Sequence, residues 1–454
     1  MPLSPIQMKV LVVGSGGREH ALAWKISQSP LCDEVLCAPG NAGTAEVARN
    51  VSVAATDLPG LVALAQSEKV GLVVVGPEGP LCDGLADQLR RVSIPVFGPG
   101  SKGANLERSK TDAKDLLERY RIPTAGCKRF DHSGRAKGYL RSLTEWPMVI
   151  KADGLAAGKG VYVCDTAEEA QAAVDAIMEE RRHGDAGDRI LVEDFLTGEE
   201  ASSFAVTDGE TLLILEPIQD HKQVGEGDTG PNTGGMGVYS PVLNVTQRLH
   251  RQIEQRVLVP TVHALSREEI KYRGVLFVGL MLTDAGPSVI EYNVRFGDPE
   301  CQALVRRLKS DLLPILLATA TGTLEKIDLP EWDPRFVVGV VAAAAGYPGA
   351  YTKGSPISGL EEAAAIEGVE IFHGGTRVER NELVTDGGRV LCVTAMGDDI
   401  EQAREAAYAA YDLIQWEGKF CRRDIGTRHA GKASEGFALD EDPNEIRGEV
   451  LGDV

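Results

Sequence analysis

Short apolar runs alternate with amphipathic, helix-length stretches through the first hundred residues. Lys9–Val13, Glu34–Cys37, Leu72–Val75 and Pro95–Phe97 are predicted strands, and Arg18–Ser27, Asp57–Ser67 and Leu81–Arg91 are predicted helices between them. Such alternation implies a parallel sheet with crossover helices, in which ligands collect at the carboxyl ends of the strands. Gly14–Gly17, Pro39–Gly43 and Gly76–Gly79 each follow a strand, so three loops are expected to share one rim.

Beyond residue 100 the pattern changes. Ser109–Tyr120 reads as a charged helix, and Ile122-Pro123 as a boundary. A small α+β unit is expected over 122–193, with strands Pro147–Ala152, Val161–Cys164 and Arg189–Val192 and a helix Ala167–Glu180. A larger α+β body follows from Ala201 to about Leu317. Its clearest piece is a hairpin of Gly274–Thr283 and Val289–Phe296 joined by Asp284-Ala285-Gly286-Pro287. A third body begins near Pro334 with the strand Phe336–Ala342 and ends with the helix Ile400–Ile414. The expected fold is therefore mixed α/β and α+β: an N-terminal parallel-sheet domain over 1–108, a central unit over 109–330 and a C-terminal α+β domain over 331–430. Residues 431–454, rich in acids, read as a disordered tail.

Composition narrows the function. Of 454 residues, 47 are Lys or Arg and 67 Asp or Glu, a net charge of -20 that disfavours nucleic acid and anionic membranes as partners. Small anions need only a local cationic pocket. No apolar stretch suits a membrane span: the uncharged run Phe336–Thr352 is broken by Gly339, Gly346, Pro348 and Gly349. The segment before Met8 carries no basic charge, so no export signal is expected and the chain is placed in the cytoplasm. The eight cysteines form no CxxC pair and read as reduced thiols.

Five clusters carry candidate chemistry. Gly14-Ser15-Gly16-Gly17-Arg18-Glu19 joins a strand to a helix, and serves either as an oxyanion cradle or as a tight turn. Glu19 stands where a dinucleotide fingerprint needs glycine, and no acid ends the second strand, so NAD is not expected. Val149–Val161 sets Lys151 on a strand, then a loop containing Gly154, Gly158, Lys159 and Gly160, then another strand. A point charge beside a loop of small residues suits phosphates, and an exposed lysine hairpin is the alternative. Glu193 ends an apolar strand, with Phe195, Leu196 and Glu200 close behind. Glu291, Asn293 and Arg295 alternate along one strand and share a face. Two oxygen ligands and a cation in a row suit magnesium with an anionic substrate, or simply a solvated face. Finally, Gln219-Asp220-His221-Lys222 leads into Asp228–Gly237, whose glycines with Asn232 and Thr233 make a poor core and a good ligand loop.

The motifs GSGGREHALAWKI, GPE at 76–78, VIKADGLAAGKGV, QDHK…DTGPNTGGMG and EYNVRFGDPE, in this order, resemble those of the phosphoribosylamine–glycine ligases (glycinamide ribonucleotide synthetases) of the ATP-grasp superfamily. The resemblance runs from Met8 to about Ile425. It implies an ATP-grasp core with a small lid-like subdomain, and ligation of glycine to 5-phosphoribosylamine through glycyl phosphate, giving glycinamide ribonucleotide, ADP and phosphate in purine synthesis. It also implies ATP as co-substrate with Mg2+ or Mn2+ on Glu291 and Asn293. Lys110, Lys151 and the Gly154–Gly160 loop would take the phosphates, and Glu193, Phe195, Leu196 and Glu200 the adenine and ribose end, with Asn232 also at the nucleotide. Arg295 would clamp the carboxylate or acyl phosphate, and Asp220 the glycine ammonium. Gly16, Gly17 and Arg18 with Gly297 and Asp298 would hold the phosphoribosyl part, with His221 and Thr233 at the substrates. The strand Val275–Leu282 lacks the further acid that ATP-grasp enzymes often use, so one metal is expected on protein ligands, or a second held mostly by phosphates. A monomer is expected, with a weak dimer as the alternative. Two rivals stand beside this reading: an ATP-grasp enzyme for another carboxylate, and a nucleotide sensor without turnover.

Overall fold

The computed structural model describes residues 7–156, 159–242 and 245–427. The expected acidic tail and Gly158 lie outside them. The N-terminal strands form a five-stranded parallel sheet in the order Arg49–Asn50, Cys32–Pro39, Met8–Gly14, Leu72–Val75, Val96–Phe97. Val10 to Val13 are wholly buried, as strands covered by helices on both faces must be. The order reverses beside Met8–Gly14, which opens a crevice at the carboxyl ends. Two of the rim loops are stitched together there: Asn41 Nδ2 donates to Ser15 O at 2.9 Å, and Gly40 N to Gly14 O at 3.1 Å.

The helix expected over Leu81–Arg91 is instead two, Glu78–Cys82 and Leu85–Arg91, because Gly84 at φ 87° interrupts the backbone ladder. A helix that sequence periodicity did not reveal, Ser101–Arg108, precedes Lys110–Arg119. Between the two, Ser109 is extended (φ -125°) and caps Asp112 N at 3.1 Å.

The small unit is an antiparallel sheet of Cys127–Phe130, Ile190–Asp194, Met148–Ala152 and Val161–Cys164, in that order, with helices Ser133–Leu140 and Ala167–Val174 packed on it. The latter gives way to a π turn over Asp175–Glu179. The larger body holds a second antiparallel sheet, Leu212–Ile214, Glu199–Thr207, Gly274–Thr283 and Gly286–Asn293. Thr283 pairs with Gly286, so the hairpin turn is Asp284-Ala285, and Gly286 and Pro287 belong to the strand. The register slips between Gly279, opposite Glu291, and Leu280, opposite Val289, which makes Ile290 the extra residue of a bulge.

The C-terminal sheet departs from the expected partition. Its order is Gln219–Asp220, Gly237–Ser240, Phe336–Ala343, Arg389–Gly397, Val369–His373, so two strands come from a segment assigned by sequence to the preceding body. Helix Ile400–Leu413 packs on this sheet through Ala403, Ala407 and Ala410. The consequence is functional: Asp220 and the glycine loop after it are carried by the C-terminal sheet, facing the hairpin. Among the described residues no helix is long and apolar enough to cross a membrane.

Candidate active site

A cavity of about 440 Å³ lies between the small sheet, the hairpin strand, the paired helices before residue 120 and the loop after Asp220. Leu106, Ala113, Leu117, Leu155, Val161 and Val289 supply apolar lining. Three of its cations are lysines grouped near the small sheet. Lys151 Nζ is 2.8 Å from Glu193 Oε2 and donates to the bulge carbonyl of Ile290 at 3.1 Å. Lys114 Nζ is 3.5 Å from Glu193 Oε1 and donates to Ala125 O at 2.8 Å, while Lys110 Nζ donates to Gly154 O at 3.1 Å. Burial lowers the pKa of both Lys110 and Lys114. Lys151 and Lys114 thus share one carboxylate, Glu193, and Lys110 adds a third ammonium to the same cavity wall, a local positive charge that a polyphosphate would neutralise.

Past the bulge stand Glu291, Asn293 and Arg295. Asn293 ends the strand, and Arg295 lies beyond it, yet the expected row persists: Arg295 Nη2 donates to Asn293 Oδ1 at 2.9 Å. Arg295 is also 2.9 Å from Glu107 Oε1 and 3.3 Å from Glu78 Oε2. Burial alone would lower its pKa, but Glu107 and Glu78 outweigh that and hold the guanidinium charged. Burial in turn pushes Glu107 up to about 7, although Arg295 pulls the other way. Burial would likewise raise Glu291, yet Lys222, Lys151, Lys110 and Arg295 hold it below its ordinary value, so it is an ionised carboxylate.

That donor set fits a hard divalent cation. Glu291 offers an ionised carboxylate whose nearest cation, Lys222 Nζ, is 3.9 Å away, and Asn293 offers an amide oxygen. Opposite them on Gly274–Thr283 stand Gly279 and Phe277, neither of them a ligand. Among the described residues there is no group of three or more His, Cys, Asp or Glu suited to a metal, so phosphates and water would complete the shell.

On the facing loop, Asp220 is buried and Lys222 Nζ is 3.2 Å from Glu200 Oε2. Burial raises Asp220, and burial together with Asp220 pushes Glu300 up to about 8. Asp298 marks the far end. Its Oδ2 accepts from Arg18 N at 3.2 Å, and Oδ1 lies 3.3 Å from Arg389 Nη2. Beyond it a second cavity of about 260 Å³ is lined by Gly16, Gly17, Gln302, Tyr347 and the two shared residues Asp298 and Arg389.

Three models of the phosphoribosylglycinamide synthetase family match the chain: the N domain over 8–107, the ATP-grasp (A) domain over 108–301 and the C domain over 337–428. The chain belongs to this family. Two curated relatives named phosphoribosylamine--glycine ligase are similar along nearly their whole length. One, from Agrobacterium fabrum, is 52% identical over 92% of this chain and 98% of its own. The other, from Vibrio cholerae serotype O1, is 50% identical over 93% and 98%. The solved phosphoribosylamine--glycine ligase of Thermotoga maritima is similar with a TM-score of 0.80 at 34% identity, covering 92% of this chain and 99% of that one. The N5-carboxyaminoimidazole ribonucleotide synthetase of Thermotoga maritima shares the fold at 17% identity, with a TM-score of 0.61 over 90% of this chain and 99% of that one.

Most of the residues singled out by sequence line the two cavities: Arg18, Lys110, Lys151, Gly160, Glu193, Glu200, Asp220, Asn232, Thr233, Glu291, Asn293, Arg295 and Asp298 the large one, and Gly16 and Gly17 the small one. Others stand away from the cavities or already have protein partners. Phe195 is 40% exposed and, like Leu196, lines neither cavity, because the strand has already left the cleft at Asp194. Glu193 has both oxygens engaged by lysines, and Glu200 pairs with Lys222 near Glu291. His221 alternates away from its neighbours Asp220 and Lys222: it is buried against Tyr239, its Nε2 accepts from Gly426 N at 3.4 Å, and it lines neither cavity. Lys159 is exposed and donates to Pro348 O at 2.8 Å. Gly154 contributes only its carbonyl to Lys110, and Gly297 gives clearance, since a Cβ there would meet Glu300 Oε2 at 2.3 Å.

Sequence reasoning missed Glu78, Glu107, Lys114, Lys222, Glu300 and Arg389, all of which line the large cavity. A signal existed for Lys222, two residues from Asp220 and hence on the same side of an extended segment. Lys114 is one helical turn from Lys110, which also places it on the same face.

Proposed function

We propose that the chain catalyses ATP-dependent ligation of glycine to 5-phosphoribosylamine, giving glycinamide ribonucleotide, ADP and phosphate for purine biosynthesis. The observation that carries this reading is the meeting, at Asp298 and Arg389, of a cation-rich chamber with a second chamber walled by the first glycine loop. A reaction that couples phosphoryl transfer to capture by an amine needs two such compartments in contact.

Lys110 and Lys151 hold the ATP phosphates. Glu291 and Asn293 hold Mg2+ or Mn2+, which when bound neutralises phosphate charge. Asp220 takes the glycine ammonium, and Arg295 orients the carboxylate, for which its planar fork is matched. The carboxylate oxygen attacks the γ-phosphorus, the bond to the β-phosphate oxygen breaks, and ADP leaves. Arg295 then faces the acyl phosphate. The phosphoribosylamine nitrogen attacks its carbonyl carbon, the carbon–oxygen bond breaks, inorganic phosphate departs and the nitrogen sheds a proton. Most of the catalysis is positioning and charge stabilisation in a closed site. The phosphoribosyl unit lies along Gly16, Gly17, Arg18 and Asp298. All eight cysteines are free thiols, which suits the reducing cytoplasm where we place the reaction.

The decisive measurement is ADP release with ATP and magnesium, with and without glycine, and with freshly generated phosphoribosylamine. ADP formed only with both substrates, alongside glycinamide ribonucleotide by mass, is the expected result. ATP binding without glycine-dependent turnover would move the assignment to another carboxylate or to a nucleotide sensor.

A further inference from the structure

Arg295 is gripped by three side chains, and one of them belongs to no step of the mechanism above. Glu107 stands in the last turn of helix Ser101–Arg108. Its Oε1 lies 2.9 Å from Arg295 Nη2, and its Oε2 accepts from Val294 N at 2.7 Å. A single carboxylate thus holds both the guanidinium and the peptide that follows Asn293. Glu78 grips the same guanidinium more loosely, 3.3 Å from Nε, and its side chain is 29% exposed against 8% for Glu107. Glu107 lines the large cavity, yet both of its oxygens are spent on the protein. Arg295 Nη2 is shared between Glu107 and Asn293, and Nε is turned to Glu78. Nη1 gives one of its two hydrogens to Phe296 O at 3.3 Å, which leaves it as the end with an N–H to spare.

The same corner of the chain carries a nucleotide lysine. Lys110 stands three residues after Glu107, with its N donating to Asp153 O and its Nζ to Gly154 O, both at 3.1 Å. Between them, Arg108 donates to Cys82 O at 2.7 Å, and just beyond, Thr111 N donates to Asp153 Oδ1 at 2.6 Å. The corner is therefore fastened to the N-terminal domain on one side and to the small unit on the other. Resting on the ligase reading, the glycine carboxylate meets Arg295 while the ATP phosphates meet Lys110. Their spacing must bring oxygen and phosphorus to about 3–3.5 Å, and a shift of about 1 Å forfeits much of the rate. We infer that Glu107 is a positioning residue: it fixes the Arg295 guanidinium, and with it the glycine carboxylate, in register with the phosphates held by Lys110.

The test is a double-mutant cycle of Glu107→Gln with Arg295→Ala, read in glycine-dependent turnover. Glutamine keeps the length and one acceptor oxygen, but it cannot accept from both Val294 N and Arg295. Alone, Glu107→Gln should lower kcat on the order of tenfold to a hundredfold, with the KM for ATP within about threefold of wild type. Added to Arg295→Ala, it should cost no more than about a further twofold, because the group it positions is already gone. The same factor lost in both backgrounds would mean that Glu107 merely supports the fold, and would overturn the proposal while leaving the ligase reading intact. An unchanged kcat in the single variant, or an effect confined to the KM for ATP, would overturn it too. Should Glu107→Gln fail to fold, Glu107→Asp, which keeps the charge and shortens the reach, enters the same cycle under the same criteria. Absence of glycine-dependent turnover in the wild type would remove the ligase reading and this proposal with it.

Discussion

The two chambers share Asp298 and Arg389 but are furnished in opposite ways. In a chain of net charge -20, the large one gathers Lys110, Lys114, Lys151, Lys222 and Arg295 against a comparable set of acids. Apart from the shared pair, the small one is lined by Ser15, glycines, Val341, Leu391, Cys392, Tyr347 and Gln302. Opposed charges held at fixed distances in a desolvated cleft suit a reaction that moves charge between phosphates, a carboxylate and an amine. Glycine walls let a ligand approach the backbone closely and suit recognition by shape. On the proposed mechanism, chemistry and recognition divide across one Asp–Arg partition. Changes in the large chamber should therefore strike turnover, and changes in the small one the amine substrate.

The heaviest blow should come from Arg295→Ala. It removes the cation between Asn293, Glu107 and Glu78, and kcat should fall by about 10² to 10³. Arg295→Lys, which keeps the charge but not the fork, should fall between the two. Unchanged turnover and an unchanged KM for glycine in the alanine variant would sink the assignment of this residue. Next is the metal. Glu291→Ala should raise the divalent-ion concentration needed for half-maximal activity by roughly 10- to 100-fold, with metal-free ATP binding affected far less. Titrating magnesium against activity, alongside calorimetry of ATP with chelator present, separates the two. An unaltered magnesium requirement would place the ion elsewhere.

How much of this contrast was legible beforehand depends on the distance over which each residue acts. Strands such as Leu72–Val75 and Val161–Cys164 were read to the residue because an uninterrupted apolar run is a local property. Ser101–Arg108 was not, since its sequence SKGANLER contains one large apolar side chain and its burial comes from neighbours far along the chain. Nor was the transfer of Gln219–Asp220 and Gly237–Ser240 to the C-terminal sheet, because two- and four-residue strands carry too little pattern to choose a partner. In the site, residues embedded in dense motifs (Lys151, Glu291, Asn293, Arg295) announced themselves. Glu107, Glu300 and Arg389 acquire their roles only through packing: Glu107 meets Arg295 across 188 positions of sequence, and Arg389 reaches Asp298 from a strand in another sheet.

Glu300 tests the charge balance of the large chamber by pH. Burial, then Asp220, takes its carboxyl from an ordinary 4.5 up to about 8. The folded chain thus binds this proton more tightly than the unfolded chain. Its contribution is full below about pH 4.5 and declines as pH rises toward 8, the opposite of a salt-bridged acid. Glu300→Gln fixes the neutral state, so its thermal midpoint should match that of wild type near pH 4.5 and exceed it at pH 8.5 by roughly 1 °C for each kcal/mol recovered in a chain of 454 residues. Parallel stability curves over that range would mean that the carboxyl titrates normally.

The smallest effect is expected where sequence and structure disagree most. Lys159 sits in the glycine-rich loop whose pattern suggested phosphate contact, yet its ammonium donates to Pro348 O at 2.8 Å, next to Tyr347 on the wall of the small chamber. The side chain is exposed, so the contact competes with water. Removing it should cost no more than about 0.5 kcal/mol, leaving the KM for ATP in Lys159→Ala within about threefold of wild type. Lys151→Ala is the control, because that buried lysine should raise the same constant far more. A tenfold rise for Lys159→Ala would mean that the lysine leaves Pro348 for the phosphates when ATP binds. Lys159 would then join Leu155 and Gly160 of the same loop in the large chamber.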